Sequence, residues 1–116
     1  CDKAAVLGFA DEDLVWDFCE KSKILPVGSK PAGMSPYGAH DMAGNVLEWV
    51  DDFYGEDYYE NSPKDNPQGP EHGDYFDYHI ILRGGAFDYS DDSAKVFYRF
   101  LDDSIMNRSW GFRCVR

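Results

Sequence analysis

In the stretch HDMAGNVLEW, residues 40–49, three oxygen-bearing side chains (Asp41, Asn45 and Glu48) surround Gly44. The apolar residues Val46, Leu47, Trp49 and Val50 are interleaved and follow at once. Carboxylate and amide oxygens around a glycine turn have two uses. They can accept hydrogen bonds from nearby backbone N–H groups, as in an Asx-turn. They can also hold a hard cation such as Ca²⁺, which takes about six to eight oxygens from carboxylates and backbone carbonyls. Glycine suits the second use because it lets a carbonyl swing toward an ion. The apolar residues would anchor the turn to a core. On the residues alone the hydrogen-bonded turn is the simpler reading, and both stay open.

Other residues with chemical potential are sparse. The cysteines are Cys1, Cys19 and Cys114, with no CxxC pair, so a zinc ribbon is unsupported. An odd count leaves at least one thiol unpaired within the chain. Cys1 and Cys19 could close a short loop in an oxidising compartment, or all three could be small buried thiols. His40, His72 and His79 show no HxH or HxxxH spacing, and a lone histidine is more often a surface or core residue than a ligand. There is no GxSxG, Walker loop, GxGxxG or HExxH. The run DYSDDSAK reads as a solvated acidic loop in preference to a second cation site. Asn107 opens an NRS sequon, a triplet that chance often supplies.

The elements that must position these residues can be read coarsely. The length of 116 residues suits one domain, and 43% apolar residues suffice for a core. Aromatics reach 16%, largely Tyr and Phe, which favour strands and amphipathic surfaces. A net charge of −11 argues against a nucleic-acid backbone or an anionic membrane surface as partner, and favours cations or a basic partner. No apolar run approaches the ~18 residues of a membrane span. The segment PVGSKPAGMSPYG carries three prolines and three glycines and reads as an ordered loop. NVLEWVDDFY alternates and reads as a strand. Residues 55–78 read as a long Tyr-, Asp-, Pro- and Gly-rich loop, functional or tied down elsewhere. HIILR reads as a buried strand ended by Gly84 and Gly85, AKVFYRF as another strand, and SWGFRCVR as a closing strand. Such a fold must hold its loops with side-chain hydrogen bonds, aromatic plugs or metal ions.

The ordered set PVGSKPAGMSPYGAHDMAGNVLEWVDDFY, ILRGGAF, Tyr98-Arg99 and GFRCVR resembles the sulfatase-modifying-factor, or formylglycine-generating-enzyme, domain over nearly all of residues 19–116. The resemblance implies an α+β, C-type-lectin-like fold, rich in loops and short strands with little helix. It implies that residues 1–116 form a single unit, the later part of such a domain and bacterial in type, with Cys1 standing roughly where many bacterial members have Cys-Asn. It implies a Ca²⁺ ion held by the Asp41 and Glu48 side chains and the Gly44 and Val46 carbonyls, with a structural role. A second calcium site is implied less directly, since Asp2 matches one of its positions and no carboxylate aligns near Cys19. A Cys1–Cys19 disulfide is also implied, and Cys114 would bridge to a segment absent from this chain.

Oxidase members of that family carry two cysteines that bind Cu(I), a soft ion suited to thiolates. The corresponding positions here are Tyr89 and Ala94, and Ala86 replaces the serine of the family's GGS, so copper is not expected. The resemblance therefore implies a non-catalytic, calcium-stabilised binding or scaffold module. Its protein or small-molecule ligand would be met by Asp88, Tyr89, Asp91, Asp92 and Trp110 and by the 55–78 loop, with the missing opening segment as a further partner. Rigid amphipathic aromatics beside hydrogen-bonding carboxylates suit such a surface, although the same aromatics could simply plug loops into the core. The alternatives are an oxygen-dependent or non-haem-iron enzyme completed by missing segments, and a carbohydrate-binding lectin. The compartment stays open, with an extracytoplasmic one preferred.

Overall fold

The computed structural model describes residues 23–75, 79–101 and 107–114. Asp2 and the Cys1–Cys19 pairing lie outside the described residues. Four short strands form one curled mixed sheet: β1 (Leu47–Phe53), β2 (Ile80–Arg83), β3 (Phe100–Leu101) and β4 (Trp110–Gly111), in the order β3-β2-β1-β4. β1 pairs antiparallel with β2, β2 antiparallel with β3, and β1 parallel with β4. The one α-helix among the described residues is a single turn, α1 (Tyr58–Asn61). This is the strand-and-loop architecture with little helix that the resemblance implies.

β1 forms where the alternating segment was expected, because β-branched and aromatic residues suit a pleated, half-buried surface. Its pairing is irregular: Trp49 lies opposite Leu82, but Phe53 lies opposite Ile80. The extra residues on β1 make a bulge-like irregularity, a feature that raises local twist and curls a sheet. The expected strand over AKVFYRF shrinks to Phe100–Leu101. Its first residue, Ala94, ends a 3₁₀ helix (Asp91–Ala94), and Val96 and Phe97 are 86% and 64% exposed. The closing strand likewise narrows to Trp110–Gly111. In both places β-rich composition is overridden by neighbours: only residues that reach the β2 or β1 edge gain ladder partners.

The core is small. Leu47, Leu82 and Ala86 are fully buried, with Trp49, Tyr89, Phe100 and Trp110 packed around them. The rings form a chain of edge contacts. Tyr89 meets Phe100 at 5.3 Å, Phe100 meets Trp110 at 6.4 Å, and Trp110 meets Trp49 at 5.5 Å. Each such pair contributes about 0.5–1.5 kcal/mol beyond simple burial, and together they join β3, β1 and β4 across the sheet.

The long loop after β1 is tied down by cations and rings. The Arg99 guanidinium lies 4.1 Å from the Tyr59 ring centroid and 5.0 Å from that of Tyr54. It donates to the carbonyls of Gly55 and Glu56. Arg83 donates to the Tyr59 hydroxyl and to the Val96 carbonyl. Tyr58 accepts the Gly69 N–H, and Asp74 Oδ2 accepts the Glu56 N–H. These bonds stand in for the ladder that the loop lacks.

Candidate functional site

The 40–48 turn sits between the Pro-rich loop and the start of β1. Three of its residues have positive φ: Asp41 (55°), Gly44 (92°) and Asn45 (72°). Left-handed backbone favours Gly, Asn and Asp, so the types that looked chemical are also the types the turn needs. The Gly44 N–H donates to the Gly84 carbonyl at 2.5 Å, and the Phe87 N–H donates to the Asn45 carbonyl at 3.0 Å. The turn is thereby anchored to the segment that follows β2.

Each polar side chain has a distinct task. Asn45 is 8% exposed. Its Oδ1 accepts the Leu25 N–H at 2.9 Å and its Nδ2 donates to the Leu25 carbonyl at 3.2 Å. A single amide thus mimics a strand partner and holds the incoming loop. Asp41 Oδ2 accepts the Gly28 N–H at 2.8 Å. Both bonds reach across to a different loop, 20 and 13 residues away, so neither is the local Asx-turn considered from sequence.

Glu48 is paired with Arg113, 65 residues later. Arg113 Nε donates to Glu48 Oε2 at 2.6 Å and Nη2 donates to Oε1 at 2.5 Å. Nη1 also donates to the His40 carbonyl at 3.0 Å, and Nη2 reaches the Asp41 carbonyl at 3.5 Å. The Arg113 pKa is raised above its ordinary value, first by the hydrogen bond to Glu48 and then by the charges of Glu48 and Asp41, against the opposing pull of burial. The sheet sets this meeting: the parallel register Leu47↔Trp110 and Glu48↔Gly111 carries Arg113 alongside the start of β1.

Asp41, Val46 and Glu48 line one cavity of about 340 Å³ together with His40, Asn45 and Arg113. Gly44 is buried and is not among the lining residues, and its carbonyl accepts the Val46 N–H at 3.1 Å. His40 Nδ1 is buried without a hydrogen-bond partner. Among the described residues no three His, Cys, Asp or Glu side chains converge as a metal cluster. A hard cation here would therefore rely on backbone carbonyls as much as on the two carboxylates. Oxygens of that kind suit a hard cation such as Ca²⁺ and not a soft one, although both Glu48 oxygens are held by the Arg113 guanidinium, which also lines the cavity. Arg113 was not singled out from sequence; the only signal was a basic residue after an aromatic in the closing segment.

The second group of expected site residues divides. Asp91 and Asp92 are exposed at the 3₁₀ turn, where Asp92 pairs with Lys95. Asp88 is half-buried, with its Oδ2 3.7 Å from Arg108 Nε and its Oδ1 buried without a partner. Tyr89 and Trp110 are half-buried, with their rings packed against the core as plugs. The two positions that the resemblance sets against copper-binding cysteines differ in kind. Tyr89 is packed edge-on to Phe100, while Ala94 closes the 3₁₀ turn against Gly85. Gly85 has φ 74°, and a Cβ there would stand 2.9 Å from both Ala94 N and Ser93 Oγ. Cys114 is exposed and free.

Comparison with known proteins agrees with this architecture. The model of the sulfatase-modifying factor enzyme 1-like domain matches residues 8–116. The serine/threonine-protein kinase pkn1 of Chlamydia caviae is 42% identical over 98 residues, covering 82% of this chain and 15% of that protein. The formylglycine-generating enzyme of Streptomyces coelicolor is 39% identical over 84 residues, covering 68% of this chain and 25% of that enzyme. Among solved structures, Treponema denticola variable protein 1 superposes with a TM-score of 0.67 at 28% identity, covering 96% of this chain and 34% of that one. The chain thus spans a minor part of the length of each relative. Among the described residues no helix is long and apolar enough to cross a membrane. With the family model matched over 109 of 116 positions (8 to 116 inclusive), the chain belongs to the sulfatase-modifying-factor, formylglycine-generating-enzyme-like family.

Proposed function

We propose that this chain is a non-catalytic member of the family, a calcium-stabilised module that displays a binding surface. The observation that carries the proposal is the fate of the two positions where oxidase relatives bind copper. One is Tyr89, whose ring is committed to the core through Phe100; the other is Ala94. A phenol wedged among rings and a methyl group supply no soft ligand, and Cu(I) requires soft ligands. The chemistry of cysteine oxidation would have no place to start.

Calcium is the cation that the opening turn suits. Asp41 and Glu48 would hold it with their carboxylates, and Gly44 and Val46 with their carbonyls. What the ion supplies is cross-linking: it would join the turn to β1 at the point where the Pro-rich loop enters. The exposed acidic turn at Asp91 and Asp92 is the surface offered to a protein or small ligand. Similarity to a kinase over one segment supports the idea of an accessory module within a larger chain.

The test has two parts. The protein is incubated with a cysteine-bearing sulfatase-type peptide, Cu(I) and oxygen, and the peptide is analysed for an aldehyde by hydrazine capture and mass spectrometry. No aldehyde is expected; formation of formylglycine at turnover would overturn the non-catalytic reading. Calcium binding to chelator-treated protein tests the other part.

A further inference from the structure

We propose that Arg113 is a built-in cation for the 40–48 turn, holding the turn's oxygens in place when no divalent ion is present and handing that role to Ca²⁺ when its guanidinium is removed. The inference deepens the calcium reading and rests on it in one respect only: the oxygens concerned belong to the same turn.

The argument starts from what the guanidinium touches. Two of its nitrogens hold both oxygens of Glu48, and two reach the His40 and Asp41 carbonyls. A carboxylate and two backbone carbonyls from opposite ends of a turn therefore converge on one positive centre. That is the donor mixture a hard cation gathers, here collected by a planar fork whose donors match a carboxylate bidentately. The Asp41 carboxylate adds a further negative charge close enough to raise the Arg113 pKa.

The arrangement is also placed by the fold and not by a mobile side chain on a free loop. Glu48 is on β1 and Gly111 is its register partner, so Arg113 follows from strand pairing. The Glu48 and Arg113 side chains are 19% and 32% exposed, so the pair is only partly screened by solvent. Without the guanidinium, Glu48 would be a half-buried carboxylate with no counter-charge, beside Asp41 and two carbonyls that have lost a donor. The vacated volume adds to a cavity already about 340 Å³. An oxygen-lined, negatively charged space of that kind favours a divalent cation.

The experiment compares wild type with Arg113→Ala, each melted in EGTA and in millimolar Ca²⁺, with calcium binding measured separately by isothermal titration at low temperature. Wild type is expected to stay folded in EGTA and to gain less on adding Ca²⁺ than Arg113→Ala does. Arg113→Ala is expected to melt about 4–8 °C lower in EGTA and to recover at least half of that loss with Ca²⁺. Adding Glu48→Gln to Arg113→Ala is expected to abolish the recovery. If Arg113→Ala is unfolded in EGTA, folding on addition of Ca²⁺, followed by circular dichroism, gives the same answer. A calcium-induced shift in Arg113→Ala no larger than in wild type, or a variant that stays unfolded with Ca²⁺, overturns the proposal. Titration separates the two readings. Wild type that binds calcium alongside a variant that is not rescued leaves the calcium reading standing and this inference refuted. Wild type that does not bind, alongside a variant that does, refutes the calcium reading and leaves the inference standing. If neither binds, both fail.

Discussion

Arg113 and Glu48 form a bidentate ion pair, with nitrogen–oxygen distances of 2.6 and 2.5 Å, that locks the closing segment of the chain to the first residues of β1. Because Arg113 also reaches the carbonyls of His40 and Asp41, the pair doubles as the clasp of the turn that precedes the strand. Glu48→Gln removes the counter-charge and leaves a guanidinium in a partly buried site. Fully buried pairs lose about 3–5 kcal/mol when one partner is removed, and exposed ones 0–1. With the two side chains 19% and 32% exposed, the expected loss is about 1–3 kcal/mol, read from the urea midpoint. A double-mutant cycle with Arg113→Ala should return a coupling of similar sign. Additive effects would show that the pair is incidental.

The Asn45 amide holds Leu25 by two hydrogen bonds, one in each direction. Asn45→Ala should cost about 2–4 kcal/mol, because two buried backbone groups lose partners and a residue at positive φ loses its preference for that region. Asn45→Asp keeps the acceptor for the Leu25 N–H but faces the Leu25 carbonyl with a second oxygen, so it should also destabilise. Equal stability of Asn45→Asp and wild type would contradict the donor role assigned to Nδ2. Chemical denaturation of the three proteins decides it.

At Gly85 the chain passes against the 3₁₀ turn with no room for a side chain. A Cβ would stand 2.9 Å from Ala94 N and from Ser93 Oγ, at a φ of 74°. Gly85→Ala therefore combines strain of about 1–3 kcal/mol for left-handed backbone with a steric push on the turn. The expected result is a lowered melting temperature and faster proteolysis between Ser90 and Lys95. Unchanged stability would mean that the turn shifts freely, and that the acidic surface at Asp91 and Asp92 is not fixed by the core.

Tyr75 donates its hydroxyl proton to Glu56 Oε2 at 2.9 Å, and its pKa is raised above 10.0, first by that hydrogen bond and then by the negative charge of Glu56. A raised value means that the folded state holds the phenolic proton more tightly than the unfolded chain. The associated stability is present below the unfolded pKa and is lost as pH rises through the folded one. Phenolate absorbance, taken as wild type minus Tyr75→Phe, should give a midpoint above that of free tyrosine, and Glu56→Gln should lower it. A midpoint at or below the free value would contradict the contact.

Much of this molecule is legible in its sequence because its landmarks are backbone requirements. Gly44, Gly84 and Gly85 all have positive φ, and the strongly alternating segment became β1. The short strands read longer in the sequence than in the fold because composition reports a side chain's fitness for a sheet and not whether a neighbouring edge is present. Val96 and Phe97 have the right chemistry and no partner strand. The turn was recognised, but the division of labour within it was not. Asn45 and Asp41 act on Leu25 and Gly28, and Glu48 acts on Arg113. Those partners are 13 to 65 residues away, a separation at which sequence pattern carries no distance information. Tyr89 and Trp110 illustrate the ambiguity of aromatics, since the same ring serves as a contact surface or as a plug depending on which face of the loop meets the core.

The most direct test of the central claim is isothermal titration of calcium into chelator-treated wild type and into Asp41→Asn, an isosteric change that keeps an oxygen for the Gly28 N–H. One ion per chain in wild type, with affinity reduced at least tenfold in Asp41→Asn, is the result predicted here. No heat of binding in wild type, or identical isotherms for the two proteins, would contradict it.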